Sequence, residues 1–233
     1  MYFSWFGLSA FKLETKSAVL VLDPYGPTAA PRPLRAKGDI VTVSNPTSPA
    51  HGHAEGILGT PFVINHPGEF EVKGVFVQGF PASRGEEEGS SAGVDGPKRL
   101  AGERGHPKNG TREPTLFTFD SEDLRLAHLG DLRAVPSNDV LEKIDGVDIL
   151  FLPVGGGDTL DPEAAMRVVN AIEPRVVVPM HFRQEGWKIT EKLLPVSAFL
   201  REIGASKVDP VERFSIKKRD LSGEETTVVL FSA

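Results

Sequence analysis

The chain has 233 residues, room for one large or two small domains. Its 39% hydrophobic and 25% charged content suits an ordinary globular protein, and a net charge of −6 argues against a primarily electrostatic nucleic-acid binder. There is no cysteine, which excludes disulfides and thiolate metal sites. No apolar run approaches the roughly 20 residues needed to span a bilayer. The opening MYFSWFGLSAF lacks the basic start and long apolar core of a signal peptide, so a cytoplasmic protein without a membrane partner is expected.

Taken in chain order, short runs rich in Val, Ile, Phe and Leu predict strands at Tyr2–Phe6, Phe11–Glu14, Ala18–Leu22, Asp39–Val43, Pro61–Ile64 and Phe70–Phe80. Ser83–Pro114 then breaks the pattern. It is rich in Gly, Glu, Lys, Arg and Pro and nearly lacks large apolar side chains, so it cannot bury enough surface to offset its ordering entropy. It reads as a disordered insertion between two strands of one domain spanning residues 1–233. Strands resume at Thr115–Phe119, Leu124–His128, Ile149–Pro153 and Val176–Pro179. Phe214–Lys218 and Thr226–Phe231 read as a late hairpin turning near Ser222-Gly223.

Helices belong to the second half. Asp161 can cap the free amide donors of a helix, Pro162 suits its first position, and Glu163 favours the positive end of the dipole. Ala165, Val168, Val169 and Ile172 form one apolar face, and Pro174 ends the helix. Shorter helices are predicted at Asn138–Ile144 and at Val196–Ile203, the latter stopped by Gly204. Strands first, then strand and helix alternating, fit an α/β layered fold.

Several stretches carry a resemblance when read together and in order: DIVTV (Asp39–Val43), PFVI (Pro61–Ile64), PGEFEVKGV (Pro67–Val75), LAHLGD (Leu126–Asp131), LFLPVGG (Leu150–Gly156) and VVVPMHF (Val176–Phe182). They resemble the metallo-β-lactamase fold superfamily, and within it a small bacterial group described as predicted zinc-dependent hydrolases. The resemblance implies a four-layered αββα sandwich. In that family a strand like DIVTV runs into a Thr-His-x-His-x-Asp-His loop. A histidine after the central hairpin, the Asp of Gly-Asp and a late histidine complete the metal ligands. Zinc held this way lowers the pKa of its bound water to near 7 and polarises the scissile group.

Against that pattern this chain departs where the chemistry matters most. Asp131 in LeuGlyAsp matches the bridging carboxylate, and His181 in ProMetHis matches the late histidine. The histidine after the hairpin falls on Ser83. Ungapped, the main loop offers Asn45, Thr47, Pro49 and Ala50 at the four ligand positions, none a good zinc ligand. One extra residue inside the loop would bring His51 onto its last histidine. His51, Asp131 and His181 would then be a residual metal set, with Asp131 doubling as catalytic base or ligand.

Each candidate also has a plainer reading. Asp131 can be a remnant bonded to backbone amides at a turn, though a buried carboxylate needs neutralising partners. His181 can satisfy both ring nitrogens without metal. His51 and His53, in a loop rich in Pro and Gly, read as solvated. His128 reads as a packing residue, His66 as surface, and His106 lies in the insertion. Asp23, at a strand end, is expected to hold the ligand loop by hydrogen bonds. Gly155-Gly156-Gly157 is no phosphate loop, since no Gly-Lys-Ser/Thr follows.

Two functions from different classes result. The first is a degenerate member that keeps the fold and not the catalysis, serving as a binding or regulatory module for a small molecule or protein, with no cofactor. The second is a hydrolase of ester, phosphoester or amide bonds with a rearranged single-metal site using zinc or another divalent ion. A third has the insertion recruiting a protein partner.

Overall fold

The computed structural model of the protein describes residues 1–82, 113–189, 192–205, 207–221, 223 and 225–232. Two sheets pack face to face. The first runs in the order β12-β1-β2-β3-β4-β5, built from β1 (Tyr2–Gly7), β2 (Ala10–Glu14), β3 (Val19–Leu22), β4 (Ile40–Thr42), β5 (Phe62–Ile64) and β12 (Arg213–Ser215). The second runs β13-β11-β10-β9-β8-β7-β6, built from β6 (Gly68–Val72), β7 (Val75–Pro81), β8 (Thr115–Ser121), β9 (Leu124–His128), β10 (Ile149–Pro153), β11 (Val176–Met180) and β13 (Thr227–Val228).

Alternation within the strands creates the core. On β3 and β4, Leu20, Leu22 and Ile40 point between the sheets, while Val21 and Val41 point away from them. Phe3 and Phe11 of the first sheet reach Phe151 of the second, with ring centroids 5.8 and 4.8 Å apart. Each such side chain, fully buried, contributes roughly 1.5–3 kcal/mol.

Among the described residues three α-helices follow strands of the second sheet: α1 (Asn138–Lys143), α2 (Pro162–Ile172) and α3 (Val196–Glu202). The α2 start is the predicted one. Asp161 accepts from the Ala164 amide at 2.7 Å, and Ala164, Ala165, Val168, Val169 and Ile172 are buried. A cap of this kind stabilises by about 1 kcal/mol. The outer face of the first sheet is roofed differently. Tyr25, Ala29, Ala30, Leu34 and Ala36, all in coil, cover Val21 and Val41 together with Ala50 and Ile57. That layer of the sandwich is coil plus a single 3₁₀ turn at Ala54–Gly56.

Three sequence expectations need correction. Phe70–Phe80 is not one strand. Lys73 and Gly74 both take positive φ, 51° and 73°, and fold the run into the hairpin β6–β7. The late pair is not a hairpin. β12 joins β1 in the first sheet, and β13 joins β11 in the second. A local pattern of alternation says that a segment is extended and nothing about which sheet receives it. The insertion is also shorter than Ser83–Pro114 at its far end, because Ala82 N–H donates to Pro114 C=O at 2.9 Å and closes the sheet there. Residues 83–112 lie outside the described residues. Among the described residues no helix is long and apolar enough to cross a membrane.

Candidate functional site

The parallel pairs β3–β4 in one sheet and β9–β10–β11 in the other bring their carboxyl ends to one edge of the sandwich. Asp23 follows β3, Ser44 and Asn45 follow β4, Asp131 follows β9 and His181 follows β11. The space beyond the carboxyl ends of parallel strands is where α/β sheets place ligands.

Asp23 organises this edge. It is fully buried, its φ is 42°, and it accepts from Ser44 N–H at 2.7 Å, Ser44 O–H at 2.6 Å and His51 Nδ1–H at 2.8 Å. Burial alone would raise its pKa. The hydrogen bond and charge of His51, with the Ser44 hydroxyl, outweigh that and hold the carboxyl below the usual carboxylate range. His51 is therefore not a solvated loop residue. It is 1% exposed, because the Pro46–His51 turn folds it inward onto Asp23.

Asp131 also departs from its plainer reading. Its carboxylate bonds side chains rather than turn amides. Oδ2 accepts from Asn45 Nδ2 at 2.7 Å and from Arg133 at 2.6 Å (Nη2) and 3.2 Å (Nε). The Asp131 amide itself donates to Ser44 Oγ at 3.1 Å. Asn45 is fixed in turn by Thr47, whose N–H and O–H donate to Oδ1 at 3.1 and 2.8 Å.

His181 sits at φ 51°, is 1% exposed, and lies 3.3 Å from Ser9 Oγ through Nδ1. Its ring stacks on His51, centroids 5.1 Å apart at 12°. His51 Nε2 is 3.7 Å from Asp131 Oδ1. The fold thus gathers His51, Asp131 and His181 in one place. As they stand, no three His, Asp or Glu side chains among the described residues are grouped so as to hold one ion.

The other histidines separate cleanly. His66 is exposed, His53 is partly exposed beside Glu55, and His106 and Ser83 lie outside the described residues. His128 is buried against Phe11 and Phe151. Its Nε2–H donates to Ser9 C=O at 2.9 Å, while Nδ1 finds no hydrogen-bond partner among the described residues. Burial pushes its pKa below the ordinary value. Above pH ~6.5 the ring is neutral folded or unfolded and adds no pH dependence. As pH falls further the unfolded chain binds the proton first, so stability declines by up to about 1.4 kcal/mol per pH unit. His128→Gln is expected to remove that component. Urea denaturation from pH 7 to 5 should show the difference between variant and wild type shrinking steadily on acidification. A constant difference would mean that His128 does not titrate in this way.

Residues 2–181 match the family model for the β-lactamase superfamily domain. The chain belongs to this family. A UPF0173 protein of Pyrococcus abyssi is 29% identical over 189 residues, covering 78% of this chain and 83% of the relative. A UPF0173 metal-dependent hydrolase of Bacillus mycoides is 26% identical over 245 residues, covering 88% and 98%. Among solved structures, a candidate Zn-dependent hydrolase of the metallo-β-lactamase superfamily from Thermotoga maritima aligns with a TM-score of 0.74 at 26% identity, over 99% of this chain and 97% of that one. A metallo hydrolase from Ignicoccus hospitalis, at 19% identity and a TM-score of 0.60 over 93% and 99%, shares the fold.

Within this β-lactamase superfamily chain, sequence reasoning missed the partners of the candidate residues. In the sequence Asn45 reads as a lost ligand, and its donation to Asp131 emerges only from the fold. Arg133, two residues beyond Asp131 in LGDLR, gave a usable signal, since a cation so close to a buried carboxylate can fold back onto it. Ser9 and Ser44 gave none, because their roles arise only where distant loops meet.

Proposed function

We propose that this chain keeps the metallo-β-lactamase fold without its metal-dependent hydrolysis and serves as a binding or regulatory module. One observation carries the reading. The Asp131 carboxylate is already neutralised by the Arg133 guanidinium, with Asn45 as a third donor to the same oxygen. A second cation brought to that carboxylate would meet the guanidinium's repulsion, and Oδ2 could take it only by giving up three N–H donors. The loop offers Asn45, Thr47, Pro49 and Ala50 at the positions where the family pattern has three imidazoles and a carboxylate. Among the described residues, those at the site do not fit a divalent ion as arranged.

Protein purified without chelators, from cells supplied with zinc, manganese and iron, is expected to carry well under one ion per chain by elemental analysis. Near-stoichiometric metal that disappears in His181→Ala would overturn the reading.

A second reading keeps hydrolysis of an ester, phosphoester or amide at a rearranged site. Its support is the gathering of His51, Asp131 and His181, together with relatives described as metal-dependent hydrolases. His51→Ala separates the two. Unchanged metal content and unchanged esterase and phosphodiesterase rates count against the rearranged site.

A further inference from the structure

A cleft of about 350 Å³ opens between the coil after β3 and the His53–Leu58 turn. That volume lies within the range of small-molecule sites. We propose that it binds a small organic anion, with the charged group on Arg35 and His53 and the apolar body on Pro33, Leu34 and Leu58. The inference does not depend on whether the Asp131 site holds a metal.

Charge is the first argument. Between Asp23 and Asp39 the chain carries Arg32, Arg35 and Lys37 and no acidic residue, within a protein of net charge −6. Arg35 is exposed on the cleft and makes no ion pair with any described residue. A guanidinium in this state suits a carboxylate, sulfonate or phosphate group.

Placement is the second. The His53 imidazole lies against the backbone of Gly56 and Gly26. A Cβ on Gly56 would lie 2.7 Å from its Cδ2 and 3.0 Å from its Nε2, and one on Gly26 would lie 3.7 Å from its Cγ. Its backbone N–H donates to Pro24 C=O at 2.8 Å, tying the two walls together. Its Nδ1 lies 3.8 Å from Glu55 Oε2, an exposed carboxylate that lowers the affinity of any anion without closing the cleft.

Exposed apolar surface is the third. Leu58 is 62% exposed on the cleft wall, whereas Leu34 of the same cleft is buried. A ligand with charge alone would leave Leu58 in water. One with an aromatic or short alkyl body would cover it.

The test titrates the full chain with sodium 1-naphthoate, neutral 1-naphthamide and inorganic phosphate, followed by calorimetry and by backbone amide NMR shifts. Naphthoate is expected to bind with a Kd of about a few hundred micromolar, the range set by its size and one ion pair. Shifts should centre on Arg35, His53, Gly56 and Leu58. Naphthamide and phosphate are expected to bind at least about tenfold more weakly, as is naphthoate to Arg35→Gln and Leu58→Ser. Both variants are at exposed positions and should match the wild-type circular dichroism spectrum. The proposal fails if naphthoate gives no saturable binding, if the neutral amide or phosphate alone binds as well, or if neither substitution weakens it.

Discussion

Replacing Asp23 with alanine is expected to cost the fold about 4 kcal/mol and to lower Tm by about 10 °C. The reason is the number of groups it leaves behind. Ser44 N–H, Ser44 O–H and His51 Nδ1–H all donate to this one buried carboxylate. Each donor stranded without a partner costs roughly 1–3 kcal/mol, partly relieved by rearrangement or entering water.

The effect should also depend on pH, with a defined sign. The Asp23 carboxyl is held below its ordinary range, so its charged form is favoured in the folded state. The stabilisation is fully present above the unfolded pKa, near 3.9, and is lost as pH falls through the lower folded value. The gap between wild type and Asp23→Ala should therefore narrow only below about pH 4. Chemical denaturation of both proteins across pH 7 to 3 checks this. A gap already closed at pH 6 would mean that Asp23 is not the charged centre of the network.

Gly130→Ala is expected to be as damaging, by steric overlap rather than lost hydrogen bonds. Gly130 has φ 48° and turns the chain between β9 and Asp131. A Cβ there would fall 2.3 Å from Ser44 Cβ, 2.4 Å from Ser44 Oγ and 2.9 Å from Asp23 Oδ2. Ser44 cannot give way without breaking its two bonds to Asp23, so the turn must move, at about 4 kcal/mol. Gly146→Ala is the control. Its φ is 70°, yet a Cβ there meets nothing within 4 Å, so only the left-handed backbone cost of about 1 kcal/mol applies. If the two variants lose equal stability in denaturant, the close approach to Ser44 carries no weight.

The strands that build the two sheets were largely legible in the sequence, because runs such as Ile149–Pro153 and Val176–Met180 are buried throughout and read as continuous apolar segments. The α2 helix was legible from its cap and its apolar face. The destination of the last two strands was not, since Arg213–Ser215 and Thr227–Val228 alternate alike and differ only in which edge is open to them. At the candidate site, Asp131 and His181 were readable from LAHLGD and VVVPMHF. The burial of His51 was not. It depends on a loop whose path is fixed by Pro46 and Pro49 and by an acceptor 28 residues away in sequence. Nor was the engagement of Asp131 by Arg133, because a motif names the carboxylate and leaves open which cation will neutralise it.

The placement of β12 and β13 has a consequence for how the molecule is assembled. Each sheet closes one of its borders with a strand drawn from the last 21 residues, one hydrogen-bonding to the N-terminal strand and the other to the strand that carries His181. During synthesis on a ribosome both borders stay open until this tail emerges. The bonds of β1 and β11 to their outer neighbours thus cannot form before these residues are made, however early the aromatic centre collapses.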